Sequence, residues 1–333
     1  MKKFIIFLLK LLLLVGTIYY LYINYDEIER KTNPLFQKIF DYIDKSGLVD
    51  IEGIGTFIND VSLKNITDSG ITGDTLSFSS VYYPYYETLN TKQKKIYKQV
   101  YANALKYKKE FKPVAKITST ELSDVIYAVN YDHPELFYLD TTYGYKYTSN
   151  YICVQIVLNY NEAIKNIEIN KKTFDNEVNK IVREANKYKT NYEKEKYVHD
   201  YLVKNTDYEL NSKLNQSAYS AIVNKKSVCS GYARSFQLIM TKLEIPTYYI
   251  TGTSNSGPHA WNLISLSDGF YNIDVTFDDT TMSHKYFNME SNEFDKNHKR
   301  DTISTKIEYG NGEKFLGYRK VKGYKEENLS PLD

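Results

Sequence analysis

Apolar residues recur at three- and four-residue steps through Ala233, Phe236, Met240 and Leu243, with Gln237 on the same stripe, the period of a helix with one buried face. Ser227 and Ser230 are small polar residues of the kind that cap a helix start, so Cys229 is expected at or near a helix N-terminus. Two further runs, residues 257–265 and 270–279, read as strands of a hairpin turned at Asp268-Gly269. A loop of about four residues sets His259 opposite Asp274, Trp261 opposite Asn272 and Leu263 opposite Phe270. Directly opposed side chains lie about 4.5–5.5 Å apart at Cβ, which suits an imidazole–carboxylate hydrogen bond. A one-residue slip would turn Asp274 to the other face.

Upstream, the pattern predicts helices over 91–109, 119–130, 173–189 and 192–205. In the first, Ile96, Val100, Ala104 and Tyr107 share a side; the second is capped by Ser119 or Thr120 and stopped at Asp132-His133-Pro134, with His133 a turn residue. Residues 143–160 read as two strands joined at Thr148-Ser149-Asn150, with Cys153 a core thiol in the second rather than a disulfide partner of Cys229. Residues 215–224 lead into Cys229 and line a cleft, 246–251 form a strand, and 252–258 form a flexible loop able to gate the site. His199 and Asp200 point about 100° apart as neighbours on a helix, so they are not expected to face each other. The whole reads as an α+β chain: an anchor over 1–23, a linker or stalk over 24–80 with a short helix at 34–45, a small α+β domain over 81–170, a catalytic domain over 171–298 and a peripheral segment over 299–333. The linker has a competing reading, in which it packs on the domain that follows.

Residues 4–23 are almost wholly apolar, interrupted by Lys10, preceded by Lys2 and Lys3 and followed by Asp26, Glu27 and Glu29. This predicts a single membrane-spanning anchor with the remainder of the chain outside the cell. The competing reading is a cleaved signal peptide with its apolar stretch over 11–23; the lack of an A-x-A-like site around 20–28 favours retention. The first cysteine is Cys153, which excludes a lipidated cysteine at a processed N-terminus. Composition changes little: 42% apolar and 25% charged residues suit a globular protein with its own core, and the 34 tyrosines accompany many Lys, Asn and Ile residues as an AT-rich genome would favour. A formal charge of +2 leaves no basic footprint for nucleic acid. No cofactor is implied, and no metal: there is no HExxH, paired CxxC, Walker loop or GxGxxG, His284 and His298 lack ligand spacing, and Asp278-Asp279 falls far short of a calcium site.

The chemistry gathers at three positions. A thiol at a helix N-terminus ionises more readily, and the thiolate is the nucleophile. With His259 as base and Asp274 as its orienting group, Cys229 completes a nucleophile–base–acid set. This set resembles the transglutaminase-like superfamily, relatives of the papain-like thiol enzymes. The matching stretches are V-C-S-G-Y-A at Cys229, H-A-W-N from His259 and D-V-T-F-D-D from Asp274, with further likeness at 196–208 and 218–224. It is most similar to the membrane-anchored cell-surface members of low-GC Gram-positive bacteria, with weaker likeness reaching back to 132–137. Phe277 stands where many relatives carry tryptophan and Ser227 where many carry glycine, neither expected to touch the triad.

The resemblance implies a papain-like, transglutaminase-core fold in which the cysteine helix packs on an antiparallel sheet. It also implies acyl transfer through a Cys229 thioester, ending in cross-linking or hydrolysis of a protein or peptide at the cell surface or wall. It treats His199-Asp200 as structural. The backbone N–H of Cys229 is one candidate oxyanion donor; Tyr219 is a weaker second, against a packing role. Trp261 either shields the Cys–His pair or packs in the core. The rival to an enzyme is a catalytically silent wall-binding or scaffolding module that keeps the fold. The oligomeric state is left open.

Overall fold

The structure, a computed structural model, describes residues 56–57, 68–148, 151–267 and 269–311. The expected anchor over 1–23, the helix at 34–45, nearly all of the linker, the turn residues Ser149, Asn150 and Asp268, and the end of the peripheral segment from 312 lie outside the described residues. Among the described residues no helix is long and apolar enough to cross a membrane.

In chain order the elements are β1 (Thr56–Phe57), α1 (Pro84–Glu87), α2 (Thr91–Ala104), β2 (Glu110–Phe111), α3 (Ser119–Asp132), β3 (Leu139–Tyr147), β4 (Cys153–Tyr160), α4 (Ile167–Ala185) and α5 (Asn191–Asn205). There follow β5 (Asp207–Tyr208), a π-helical turn (Ser220–Asn224), β6 (Lys226–Ser227), α6 (Cys229–Lys242), β7 (Thr247–Ser254), β8 (Gly257–Leu266), β9 (Gly269–Ile273), α7 (Val275–Thr281), α8 (Ser291–Phe294) and β10 (His298–Arg300).

Three helices begin in reciprocal caps in which a side chain serves the N3 amide and the N3 side chain serves the cap amide: Asn90/Gln93, Thr118/Glu121 and Thr190/Glu193. The second cap is therefore Thr118, one residue ahead of the expected Ser119, because its Glu lies three positions on. α2 ends at Ala104, short of the predicted 109, where Tyr107 takes a left-handed backbone with φ 57°. His133 closes α3 as its C-cap, yet it is a buried hub rather than a bare turn residue. Its Nδ1 lies 2.8 Å from the Glu135 carboxylate and its Nε2 2.8 Å from the Tyr97 hydroxyl.

Two four-stranded sheets result, ordered β1-β3-β4-β2 and β10-β7-β8-β9, with β5 and β6 as a separate parallel pair. α6 lies against β7 and β8, burying Ala233, Phe236, Gln237 and Met240 as the periodicity predicts. Hydrogen bonds tie the α1–α3 region to this second sheet and to α6. The Tyr85 hydroxyl donates to the Tyr249 carbonyl at 2.6 Å, and the Gln237 amide to the Tyr131 carbonyl at 2.8 Å. Residues 81–170 and 171–298 thus share one continuous core.

The predicted hairpin forms with a different register. Leu263 pairs with Asn272 and Leu266 with Gly269, so only two residues turn the chain instead of about four. A shift of two keeps every side chain on its predicted face. The run 270–279 is not one strand: β9 ends at Ile273 and α7 follows, because the Asp274 carboxylate caps a helix by accepting from the Thr276 and Phe277 amides at 3.0 and 3.1 Å. Nor are residues 252–258 a loop. They complete β7 and open β8 around a tight turn at Asn255-Ser256.

Candidate active site

Cys229 is the first residue of α6 and is half-buried, packed against the cluster of Ala233, Tyr249 and Ala260. The N-cap is Val228, which has extended backbone and no capping side chain. The two serines expected as caps do other work. Ser227 Oγ donates to the Asn215 carbonyl at 2.6 Å, and Ser230 Oγ donates to the Gln216 carbonyl at 3.1 Å and bonds the Tyr249 hydroxyl at 2.8 Å. They lash the 215–217 segment against the helix start and leave its positive end to the thiol. Gly231 is required by the same packing: a Cβ there would sit 1.8 Å from Ser227 Oγ and 2.8 Å from the Asn215 and Ser217 carbonyls.

His259 projects from β8 and Asp274 from the end of β9. Trp261, not His259, would face Asp274 if β9 continued, so the pair meets on a diagonal. His259 Nε2 donates to Asp274 Oδ2 at 2.7 Å, with both side chains buried. With Nε2 committed to Asp274, Nδ1 is the ring nitrogen left for other partners. Burial alone would lower the His259 pKa, but the hydrogen bond to Asp274 and the influence of the nearby Cys229 thiol outweigh it and hold the ring up at about 9. Burial would likewise raise Asp274, yet hydrogen bonds from two histidines hold it below the ordinary carboxylate value.

Phe277 does touch the triad, contrary to expectation: its ring lies 4.7 Å from that of His259 between centroids. Trp261 is fully buried in the core, as the packing role expects, with its ring 6.2 Å from that of His259. Tyr219 lies away from the thiol, stacked on Phe137 at 4.7 Å and donating to Asn170 Oδ1 at 2.7 Å; it packs and is no oxyanion donor. Cys153 is buried and free, its thiol pushed up to about 12 by burial, so it competes neither as nucleophile nor as a disulfide partner.

The sequence reading missed His298. From β10 its Nε2 reaches Asp274 Oδ2 at 3.1 Å, so this carboxylate oxygen serves two imidazoles. Its separation of 24 residues from Asp274 gave no local signal; only the pairing of β10 with β7 brings it in. His284 also has a place. Its Nε2 meets Asp200 Oδ1 at 2.6 Å, and the same oxygen lies 3.0 Å from His199 Nδ1. His199 and Asp200 therefore do meet, their side-chain torsions closing the angle between neighbouring helix positions. His199 Nε2 faces Asp278 Oδ2 at 3.1 Å.

In His199–Asp200–His284 and in His259–Asp274–His298 the ligand-type atoms lie within 4.8 Å of one another. In both sets those atoms are already spent on each other as hydrogen bonds, and in the first the Lys196 ammonium occupies Asp200 Oδ2 at 2.5 Å. Asp278 and Asp279 do not form a calcium cradle. Asp278 Oδ1 accepts from Ser283 and the Tyr286 amide, while Asp279 turns to the Tyr232 hydroxyl at 3.0 Å.

Residues 179–275 match the model of the transglutaminase-like superfamily, a span holding Cys229, His259 and Asp274 and stopping short of His298. No curated protein matches the chain. Among solved structures, one described as a TGase is similar over 50% of this chain and 50% of its own, at 17% identity and TM-score 0.31. A Cytophaga hutchinsonii protein provisionally described as a cysteine protease is similar over 38% of this chain and 51% of its own, at 18% identity and TM-score 0.28. The matched region thus spans about half the length of each of these structures.

Proposed function

We propose that the chain is an exported, membrane-anchored thiol enzyme that takes an acyl group from a glutamine carboxamide or peptide bond through a thioester on Cys229. The observation that carries this is a buried imidazole–carboxylate pair, His259 Nε2 at 2.7 Å from Asp274, whose ring is also influenced by a half-buried thiol at the start of α6. The apolar run at 4–23 supports the anchor and the outward placement, and a protein or peptide at the cell surface or wall is the substrate class we favour.

His259 Nδ1 takes the thiol proton, and the thiolate adds to the carbonyl carbon. The oxyanion that forms lies toward the amide end of α6, where the Cys229 N–H is one donor. The imidazolium then gives its proton to the departing nitrogen, releasing ammonia or a peptide amine and leaving the thioester. An incoming amine or water loses a proton to His259 as it attacks, and the C–S bond breaks to restore the thiol. Asp274 keeps the ring in the tautomer with its proton on Nε2 throughout.

The test is incubation with a glutamine-containing peptide and a fluorescent primary amine. A conjugate marks cross-linking; ammonia or cleavage fragments without a conjugate mark hydrolysis. Neither product, from the native chain and Cys229→Ala alike, would contradict the reading and favour the silent wall-binding or scaffolding module.

A further inference from the structure

We infer that His298 is a positioning residue of this site, acting on His259 through their shared carboxylate; the inference rests on the thiol-enzyme reading above. His298 and His259 stand on one face of the same sheet, two strands apart, with β7 between them: His298 pairs with Ser254, and His259 with Gly252. At Gly252 the β10 backbone lies so close that a Cβ would sit 2.0 Å from the Lys299 carbonyl. Both rings reach the same Asp274 oxygen.

Every acceptor position of Asp274 is used. Oδ1 takes the Thr276 and Phe277 amides at 3.0 and 3.1 Å, and Oδ2 takes His259 at 2.7 Å and His298 at 3.1 Å. A carboxylate oxygen only accepts, so His298 must present an N–H to it. The His298 ring is held in that direction: Phe294 stacks on it at 3.9 Å, Trp261 and Phe277 each pack at 5.1 Å, and its Nδ1 donates to Asn297 Oδ1 at 2.7 Å. It is buried and lies 5.5 Å from the His259 ring between centroids.

The consequence is electrostatic. Donation from His298 draws negative charge away from the oxygen that faces His259, making His259 a weaker base than it would be beside an unshared carboxylate. The other groups bearing on His298 are His259 from β8, the Asp295 carboxylate after α8 and the Tyr286 ring ahead of α8.

The experiment is the rate of Cys229 alkylation by iodoacetamide against pH, in the full chain and in His298→Gln and His298→Phe. Removing the donor in His298→Phe is expected to move the alkaline inflection up by about one pH unit and to lower kcat on the order of tenfold with KM little changed. His298→Gln keeps an amide N–H and is expected to restore the native inflection. Superimposable profiles in all three proteins would overturn the inference. Should His298→Phe not fold, the native chain still decides the matter. Two slowly exchanging downfield imidazole N–H signals that are present in the native chain and absent from Asp274→Ala, beside those of the other histidine–carboxylate pairs, support the shared oxygen, and loss of only one signal overturns it. A native thiol with no pH inflection at all would instead sink the thiol-enzyme reading, whatever the imidazole signals show.

Discussion

Two buried histidine–carboxylate clusters sit one helical turn apart on α7, and they differ in what the second ring nitrogen meets. Asp274 caps the helix and takes His259 at 2.7 Å; Asp278, a turn later, takes His199 at 3.1 Å. Both imidazoles are held up at about 9 against burial. His199 has carboxylates on both sides, Asp200 at 3.0 Å and Asp278, so each nitrogen carries a proton and neither can accept one. His259 has a carboxylate on one nitrogen only, with the Cys229 thiol near enough to influence the ring. A raised pKa alone therefore does not mark a base. An imidazole locked between two acids is a strut, and one bonded to a single acid keeps a nitrogen free for chemistry.

The sharpest break between the clusters is expected from amide substitution. Asp274→Asn removes the negative charge but keeps a side chain able to cap α7, so turnover should fall by about 10⁴-fold while the melting temperature moves by only a few degrees. Comparable losses of both, read by initial rates and thermal melts, would make Asp274 a structural acid like Asp278. The converse substitution is His199→Leu. It leaves two carboxylates without their shared cation, and is expected to cost about 3–5 kcal/mol of stability while turnover per folded molecule stays within a few-fold. Urea titration alongside active-site counting checks this.

Alkaline pH touches both clusters through stability. Each imidazole is held above its unfolded value, so its contribution is complete below about pH 6.5 and is lost as pH rises through about 9. The native chain should lose stability across that window, and His199→Leu should lose distinctly less. Equal slopes would remove His199 as a buried cation. The smallest effect is expected at Phe277→Leu, which strips the ring from His259 at a cost of about 1 kcal/mol. That amounts to roughly five-fold in turnover and almost nothing in alkylation of the unfolded thiol.

The candidate site was legible as far as its His259–Asp274 pair and the helix start at Cys229, because these sit in short signals: a helical stripe after Cys229, and two runs flanking a turn that carry His259 and Asp274. Even the wrong loop length did little harm, since a two-residue shift preserves the face. What could not be read was long-range. His298 and His284 carry no periodic or motif signal, and reach their carboxylates only through β10 pairing and the segment after α7. Asp274 itself was misplaced within a strand, because Val275, Thr276 and Phe277 have strand-like chemistry that its capping carboxylate overrides. The serines beside Cys229 were read as local caps, whereas the chain spends them on the 215–217 segment.

The relay from sulfur to ring to acid is tested most directly by the pH dependence of Cys229 alkylation in the native chain and in His259→Ala. The account predicts rapid labelling at neutral pH in the native chain. In His259→Ala it predicts labelling slower by at least an order of magnitude and rising only toward the pKa of an ordinary thiol. Equal, slow labelling in both proteins, with Cys153 blocked or replaced, would contradict it.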